Sequence, residues 1–169
     1  AAGMAVVGLG LSPLSSGGTD VAITLTSSAF TEGAMIPRKH TCDAEDTSPD
    51  LKWSGVPKEA KSLALICDDP DAPVGTWVHW VVWNLPGTTT EIAEGALPAG
   101  VAEGHNGWGR SGWGGPSPPS GTHRYVFRLL ALDTVLSLPA STDAAALRRA
   151  MAGHVLGEAE LMGTYSRRR

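Results

Sequence analysis

The alternation of apolar and polar side chains predicts β-strands in five segments of the chain. Ser62 to Asp69 and Trp77 to Leu85 carry apolar residues on both faces of an extended strand. His123 to Leu132 has one apolar face and one mixed face, and weaker patterns predict strands at Val21 to Ser27 and Leu51 to Trp53. A strand that is apolar on both faces belongs inside a sheet covered on both sides, so we expect a buried sheet.

Within the three strongest strands the alternation assigns side chains to faces. One face of the first strand carries Leu63, Leu65, Cys67 and, at its end, Asp69. One face of the second carries Trp77, His79, Val81, Trp83 and Leu85. One face of the third carries His123, Tyr125, Phe127, Leu129 and Ala131, with Arg124 on the opposite face. A histidine in the middle of an apolar row needs a hydrogen-bond partner, and Arg124 is expected to form a structural ion pair with a carboxylate.

The spacing of apolar residues changes from two to about three and a half after Pro139. Ser141 or Thr142 can cap a helix whose apolar stripe is Leu147, Ala150 and Met151. Gly153 ends this helix, and His154 is expected to begin a second one with an apolar side formed by Val155, Ala159 and Met162. The strands and helices together predict an all-β-dominated fold, an antiparallel Greek-key β-sandwich with short C-terminal helices.

Length and composition are consistent with this fold. The 169 residues include 21 glycines and 12 prolines, which favour a loop-rich β domain over a helix bundle. We assign residues 21–169 to one domain and residues 1–20 to an N-terminal tail or a processing remnant. The chain begins with Ala rather than Met, so the expected cytoplasmic location has an exported or periplasmic location as its alternative.

Charge and cysteine content exclude several classes of protein. The formal net charge is −4, whereas a nucleic-acid-binding surface would be basic. No apolar run is long enough to span a bilayer, so stable membrane insertion is not expected. Cys42 and Cys67 are too few for a disulfide scaffold and fit no zinc motif, although a single bridge between them stays open.

The segment His105 to Tyr125 is the candidate wall of a binding site. Its many glycines and prolines favour an irregular but shaped loop, and it leads into the strand that presents His123 and Tyr125 on one face. The loop contains a GxGxxG pattern at 107–112, but no predicted strand precedes it and no helix follows, so dinucleotide binding is excluded by context. Asp69 and Asp71 flank Pro70, where Asp71 can hydrogen-bond the backbone of its own turn.

Several long motifs, in order, give the chain a family resemblance. The most specific are DDPDAP at 68–73, TWVHWVVWNLP at 76–86 and GGPSPPSGTHRY at 114–125, with further matches at 41–57 and 153–167. Together they resemble the phosphatidylethanolamine-binding protein family, also called the Raf kinase inhibitor protein family, and its bacterial-type branch in particular. Trp108 and Trp113 stand where relatives often have Phe and Tyr, and Gly107 stands where they often have Asp.

The resemblance implies a ligand pocket and assigns residues to it. Those that match pocket positions of the family are Asp69, Trp77, His79, Gly115, Pro116, His123 and Tyr125. It implies a non-catalytic protein without a cofactor or a metal, which binds a small anion, a phosphorylated head group or a phosphorylated partner protein. Kinase regulation, known for some members, and homodimer formation, frequent in the bacterial branch, are further expectations.

The residue types of this pocket suit an anion, with one complication. Two imidazoles, a phenol and glycine-rich backbone supply hydrogen-bond donors. Asp69 would repel an anion unless one of the two carries a proton or Asp69 holds a histidine in the doubly protonated form. We favour the second arrangement, which predicts tighter phosphate binding in mildly acidic solution. The alternative is a metal-dependent hydrolase that uses Asp69, His79 and His123. The chain shows no GxSxG or HExxH motif, which favours binding over catalysis.

Overall fold

The computed structural model describes residues 22–167, which form eight strands, one α-helix and one 3-10 turn. The predicted N-terminal tail or processing remnant lies outside these residues. The strands are β1 (Thr24–Thr26), β2 (Leu51–Ser54), β3 (Ser62–Asp69), β4 (Trp77–Pro86), β5 (Glu91–Ile92), β6 (Ala102–Glu103), β7 (Thr122–Leu132) and β8 (Val155–Ser166). The helix α1 spans Ala144–Met151 and the 3-10 turn spans Arg38–His40. The five predicted strands are all confirmed, and β3 has the predicted bounds.

Two antiparallel sheets make up the fold. The larger sheet has the order β6-β4-β3-β7-β8 and the smaller has the order β1-β2-β5. Apolar side chains from both sheets meet in one core, among them Leu25, Trp53, Leu65 and Phe127. A second apolar cluster covers the opposite face of the larger sheet, where Leu147 and Met151 of α1 pack against β3 and β4. The two-sided apolarity of β3 therefore has the predicted cause, because β3 lies mid-sheet and is covered on both faces.

Strand β4 departs from the predicted alternation at two β-bulges. Cys67 pairs with Trp80 while Asp68 pairs with Val78, so His79 is an extra residue without a partner on β3. A second shift occurs between Leu63 and Leu65, whose partners on β4 are Leu85 and Val82. The predicted single row on β4 is therefore wrong: Val81 and Trp83 pack on the helix side, whereas Trp80, Val82 and Leu85 face the core between the sheets. A bulge re-aims the side chains around it, and here it re-aims His79.

The predicted second C-terminal helix is wrong. Residues 155–166 form β8, which pairs with β7 along nearly its whole length. The buried residues Ala159, Leu161 and Tyr165 follow a spacing of two, which competes with the helical spacing seen in the sequence. Pairing with β7 decides the outcome, since β propensity depends on tertiary context. His154 lies in the preceding turn and pairs with Asp133 at 2.7 Å instead of starting a helix.

The first C-terminal helix is confirmed, with a different cap. Asp143 is the N-cap residue, and its carboxylate accepts a hydrogen bond from the backbone N–H of Ala146 at 2.8 Å. Thr142 instead donates its hydroxyl to the carbonyl of Pro139 at 2.6 Å. The fold is thus mostly β with one short helix among the described residues, as the sequence indicated in outline. The Greek-key connectivity stays a prediction.

Candidate functional site

A surface cavity of about 270 Å³ lies where β3 ends and where β4 and β7 begin. Four residues predicted from the sequence line it: Asp69, Trp77, His79 and His123. The remaining lining comes from the turn after β3 and from the long loop before β7, through Ala72, Pro73, Val74, Trp108, Ser117 and Pro119. Antiparallel pairing explains this convergence, because it brings the end of one strand beside the start of its neighbours.

Asp69 and His123 form a buried pair at the cavity. Nδ1 of His123 donates a hydrogen bond to Oδ2 of Asp69 at 2.6 Å, and the side chains are 8% and 5% exposed. The other oxygen of Asp69 accepts the backbone N–H of Asp71 at 2.7 Å, which fixes the carboxylate in its turn. This is the Asp–His contact expected from the sequence, and it leaves Nε2 of His123 as the nitrogen available to a ligand. Its protonation state stays a prediction.

His79 is held by the loop before β7. Its Nδ1 donates to the carbonyl oxygen of Gly114 at 2.5 Å, while the backbone N–H of Gly114 donates to the carbonyl oxygen of His79 at 3.0 Å. The side chain is buried, and burial lowers its pKa below the ordinary value, partly opposed by the hydrogen bond to Gly114. His79 therefore has the partner that its position required, and it favours the neutral imidazole.

Two tryptophans form an aromatic wall of the cavity. The rings of Trp77 and Trp108 meet edge to face with their centroids 5.5 Å apart, and Trp108 meets His79 in the same way at 5.2 Å. A Cβ at Gly107 would lie 2.5 Å from the indole of Trp77, so only glycine lets the loop pass this ring. The sequence pattern had marked Trp108 as a departure from relatives, but it did not place its ring in the cavity.

Asn106 organises this wall and was missed by sequence reasoning. Its side-chain oxygen accepts the backbone N–H groups of Trp108 and Arg110 at 3.0 and 3.3 Å, and its amide donates to the carbonyl of Gly112 at 3.0 Å. Asn106 is 7% exposed, so these hydrogen bonds are shielded from water. The signal in the sequence was an asparagine at the start of a glycine-rich loop, because an asparagine side chain can hydrogen-bond backbone groups a few residues further along.

Tyr125, Gly115 and Pro116 do not line this cavity. Tyr125 is fully buried with its ring edge to face against His79 at 5.1 Å. Its hydroxyl has no hydrogen-bond partner among the described residues, and burial strongly raises its pKa. Gly115 donates its N–H to Asp46 at 2.9 Å, and the carbonyl of Pro116 accepts from Cys42 at 3.1 Å. These three residues therefore contact the cavity lining or neighbouring loops without lining the cavity themselves.

The predicted ion pair of Arg124 is confirmed. Its guanidinium donates to both oxygens of Asp71, at 2.9 and 2.7 Å, and its backbone N–H donates to the same carboxylate at 2.9 Å. The hydrogen bonds from Arg124 lower the pKa of Asp71 to about 2. The carboxylate of Asp71 therefore joins the turn after β3 to the start of β7, whereas the sequence had predicted that it would bond the backbone of its own turn.

The aspartates of the loop at 43–50 bond to other segments of the fold, and the two cysteines are not bridged. Asp50 accepts hydrogen bonds from Ser28, and Asp43 accepts from the hydroxyl of Tyr165 at 2.6 Å. Burial raises the pKa of Asp46, which holds Gly115. Cys42 is exposed, Cys67 is buried, and both are free thiols, so the bridge left open by the sequence is absent.

The metal-site alternative finds no geometric support. Within residues 22–167, no three His, Cys, Asp or Glu side chains are grouped so that they could hold a metal ion. The described part of the chain also contains no helix with the length and apolar character needed to cross a bilayer.

Fold and site together define a class: a β-sheet protein in which a cavity brings an Asp–His contact beside a second histidine. The family model of the phosphatidylethanolamine-binding protein matches residues 26–166. A UPF0098 protein of Methanothermobacter thermautotrophicus is 53% identical over 150 residues, which is 86% of this chain and 99% of that protein. The chain belongs to the phosphatidylethanolamine-binding protein family.

Solved structures support the assignment. The crystal structure of CT736, a homologue of the phosphatidylethanolamine-binding protein from Chlamydia trachomatis, matches with a TM-score of 0.84 and 44% identity over 88% of this chain and 99% of that one. YbcL of E. coli, a member of the same family, matches with a TM-score of 0.82 and 33% identity, covering 86% and 99% of the two chains. The resemblance stated from the motifs is therefore confirmed.

Proposed function

We propose that this protein is a non-catalytic binding protein whose cavity holds a phosphate group, free or carried by a small head group or a phosphorylated partner. The observation that supports it best is the buried contact between His123 and Asp69 beside an open cavity. In this proposal His123 is doubly protonated, and its Nε2–H donates to the anion. Asp69 then acts on the ligand through His123 and not directly.

The other lining residues give the cavity its shape. Trp77 and Trp108 wall it with aromatic surface, which suits the carbon atoms attached to a phosphate. The free volume of about 270 Å³ fits a small group better than a folded segment of a partner. Kinase regulation stays a prediction, because partner choice depends on surfaces outside the cavity.

The absence of an activated nucleophile favours binding over hydrolysis. Ser117 lines the cavity, but no hydrogen bond connects its hydroxyl to His79 or His123 in the described part of the chain. A catalytic serine needs such a base to remove its proton.

Calorimetry with inorganic phosphate tests the proposal. The wild type, His123→Ala and His154→Ala are titrated in metal-free buffer and again with zinc. We expect saturable binding that zinc does not change, a loss of at least about tenfold in affinity for His123→Ala, and none for His154→Ala. His154 is a fair control because it also pairs with an aspartate, Asp133, but at the opposite end of β7.

Two results would overturn the proposal. If the wild type does not bind phosphate, the cavity is not an anion site. If zinc binds tightly and His123→Ala abolishes this binding, the metal-hydrolase alternative becomes the better account. Thermal melting of each variant separates a loss of the site from a loss of the fold.

A further inference from the structure

We propose that His79 is a hydrogen-bond acceptor in the cavity and that it makes the site select oxyanions carrying a proton, such as hydrogen phosphate, over oxyanions without one, such as sulfate. This inference rests on the proposed function and deepens it by naming the ligand class. It is carried by the geometry of two histidines that line the same cavity, His79 and His123.

The hydrogen bond to Gly114 decides which nitrogen of His79 carries the proton. Its Nδ1 lies 2.5 Å from the carbonyl oxygen of Gly114, an atom that has no proton to give. Nδ1 is therefore the protonated nitrogen in the neutral ring. Nε2, the nitrogen left for a ligand, carries a lone pair unless the whole ring is charged.

The surroundings of His79 keep the ring neutral. The side chain is 2% exposed and is enclosed by the rings of Trp108, Trp113 and Tyr125. Asp69, Asp46 and Asp68 are the charged groups that favour a cation here, but burial outweighs them and lowers the pKa of His79. Tyr125 itself is neutral, because burial strongly raises its pKa. At neutral pH, Nε2 of His79 is an acceptor.

His123 supplies the complementary group. Its Nδ1 donates to the carboxylate of Asp69, and in the proposed imidazolium form its Nε2 also carries a proton. The cavity then offers one charged donor and one acceptor. Hydrogen phosphate matches both, because an anionic oxygen faces His123 and a P–OH group donates to His79. Sulfate has no proton near neutral pH, so one of its oxygens would face the lone pair of His79.

The same argument extends to organic phosphates. A phosphate monoester keeps a proton below its second pKa, which is about 6, and a phosphodiester has none to donate. The site therefore takes a monoester in its monoanionic form and discriminates against a diester. A diester or sulfate can bind only when His79 takes up a proton from solution, which opposes the effect of burial.

Competing titrations of inorganic phosphate and sulfate at pH 7.5 and matched ionic strength test the inference. A charged hydrogen bond is worth about ten- to a hundredfold in affinity, so we expect phosphate to bind at least about tenfold more tightly. The ratio should fall as the solution is acidified to pH 5.5, because the proton that His79 must take up for sulfate to bind is then easier to supply. In His79→Gln, whose amide can donate, the ratio should approach one; in His154→Gln it should stay at the wild-type value.

A measurement on the wild type alone covers the case in which His79→Gln fails to fold. Calorimetry in two buffers of different ionisation enthalpy counts protons, and sulfate binding should take up about one more proton than phosphate binding. If sulfate binds as tightly as phosphate without this extra proton, the inference is wrong while the proposed function stands. If neither anion binds, the proposed function fails and the inference fails with it.

Discussion

His79 and Gly114 hydrogen-bond to each other twice. The backbone N–H of Gly114 donates to the carbonyl oxygen of His79 at 3.0 Å, and Nδ1 of His79 donates to the carbonyl oxygen of Gly114 at 2.5 Å. His79 is the extra residue at the bulge of β4 and has no register partner on β3, and its carbonyl oxygen accepts from the loop before β7. The hydrogen bond from Nδ1 to Gly114 fixes the imidazole at the cavity.

We expect His79→Phe to destabilise the protein by about 1–3 kcal/mol and to weaken phosphate binding. The aromatic ring keeps most of the packing, but the buried carbonyl of Gly114 loses a hydrogen bond. Urea denaturation measures the free energy of unfolding, and calorimetry measures the affinity. His154→Phe is the control, since His154 is exposed, and it should change neither quantity. Unchanged stability in His79→Phe would show that the loop does not depend on this contact.

Removing the hydroxyl of Tyr125 should leave the fold intact or improve it. This oxygen is buried and has no hydrogen-bond partner within residues 22–167, so Tyr125→Phe should raise stability by up to about 1 kcal/mol and leave phosphate affinity unchanged. In the control Tyr165→Phe, a hydroxyl that donates to Asp43 at 2.6 Å is lost, and stability should fall by about 1 kcal/mol. Weaker phosphate binding by Tyr125→Phe would instead support the ligand contact expected from the family resemblance.

Asn106→Ala should loosen the Trp108 wall. Three hydrogen bonds within the loop are lost, so amide hydrogen exchange at Trp108 and Arg110 should speed up and phosphate affinity should fall several-fold. Asn84→Ala is a matched control, because Asn84 makes two hydrogen bonds to Leu136 on the helix side of the sheet. It should lower stability without changing the affinity. Equal losses of affinity in both variants would argue against a local role for Asn106.

Asp68 should matter to stability and not to binding. It is 4% exposed and pairs with Arg128 at 2.8 Å and with Arg148 at 3.0 Å, which ties α1 to the sheet. Asp68→Ala removes the buried acceptor shared by Arg128 and Arg148, whose side chains are 31% and 46% exposed, and should cost about 1–3 kcal/mol in urea denaturation. Arg148→Ala should cost about 1 kcal/mol or less, because that side chain is half exposed. A small effect of Asp68→Ala would mean that water replaces the carboxylate.

The Asp71–Arg124 pair predicts a component of acid sensitivity. Arg124 lowers the pKa of Asp71 to about 2, from an ordinary value of 3.8. A lowered carboxyl pKa stabilises the fold above the unfolded-state value, and this stabilisation is lost as the pH falls from about 4 to about 2. Urea midpoints measured across this range should fall less steeply for Asp71→Asn than for the wild type. Parallel curves would show that solvent screens the ion pair completely.

Much of the site could be predicted from sequence because it lies on the strongest strands. The apolar alternation of β3 and β7 fixes which side chains share a face, and it correctly placed Asp69 and His123 at one end and Arg124 on the other side. The loop residues could not be placed in this way. Gly115 and Pro116 do not line the cavity. Their backbone groups bond instead to Asp46 and Cys42, residues about seventy positions away in the chain.

The sequence by itself determined the β-rich fold class, the five predicted strands and the family. Dense apolar alternation is a local signal, and each of these follows from local signals. Only the tertiary structure decided that residues 155–166 form a strand, since their apolar spacing fits both periods and pairing with β7 selects one. It also decided the bulge at His79 and the position of Trp108, because both depend on hydrogen bonds between segments far apart in the chain.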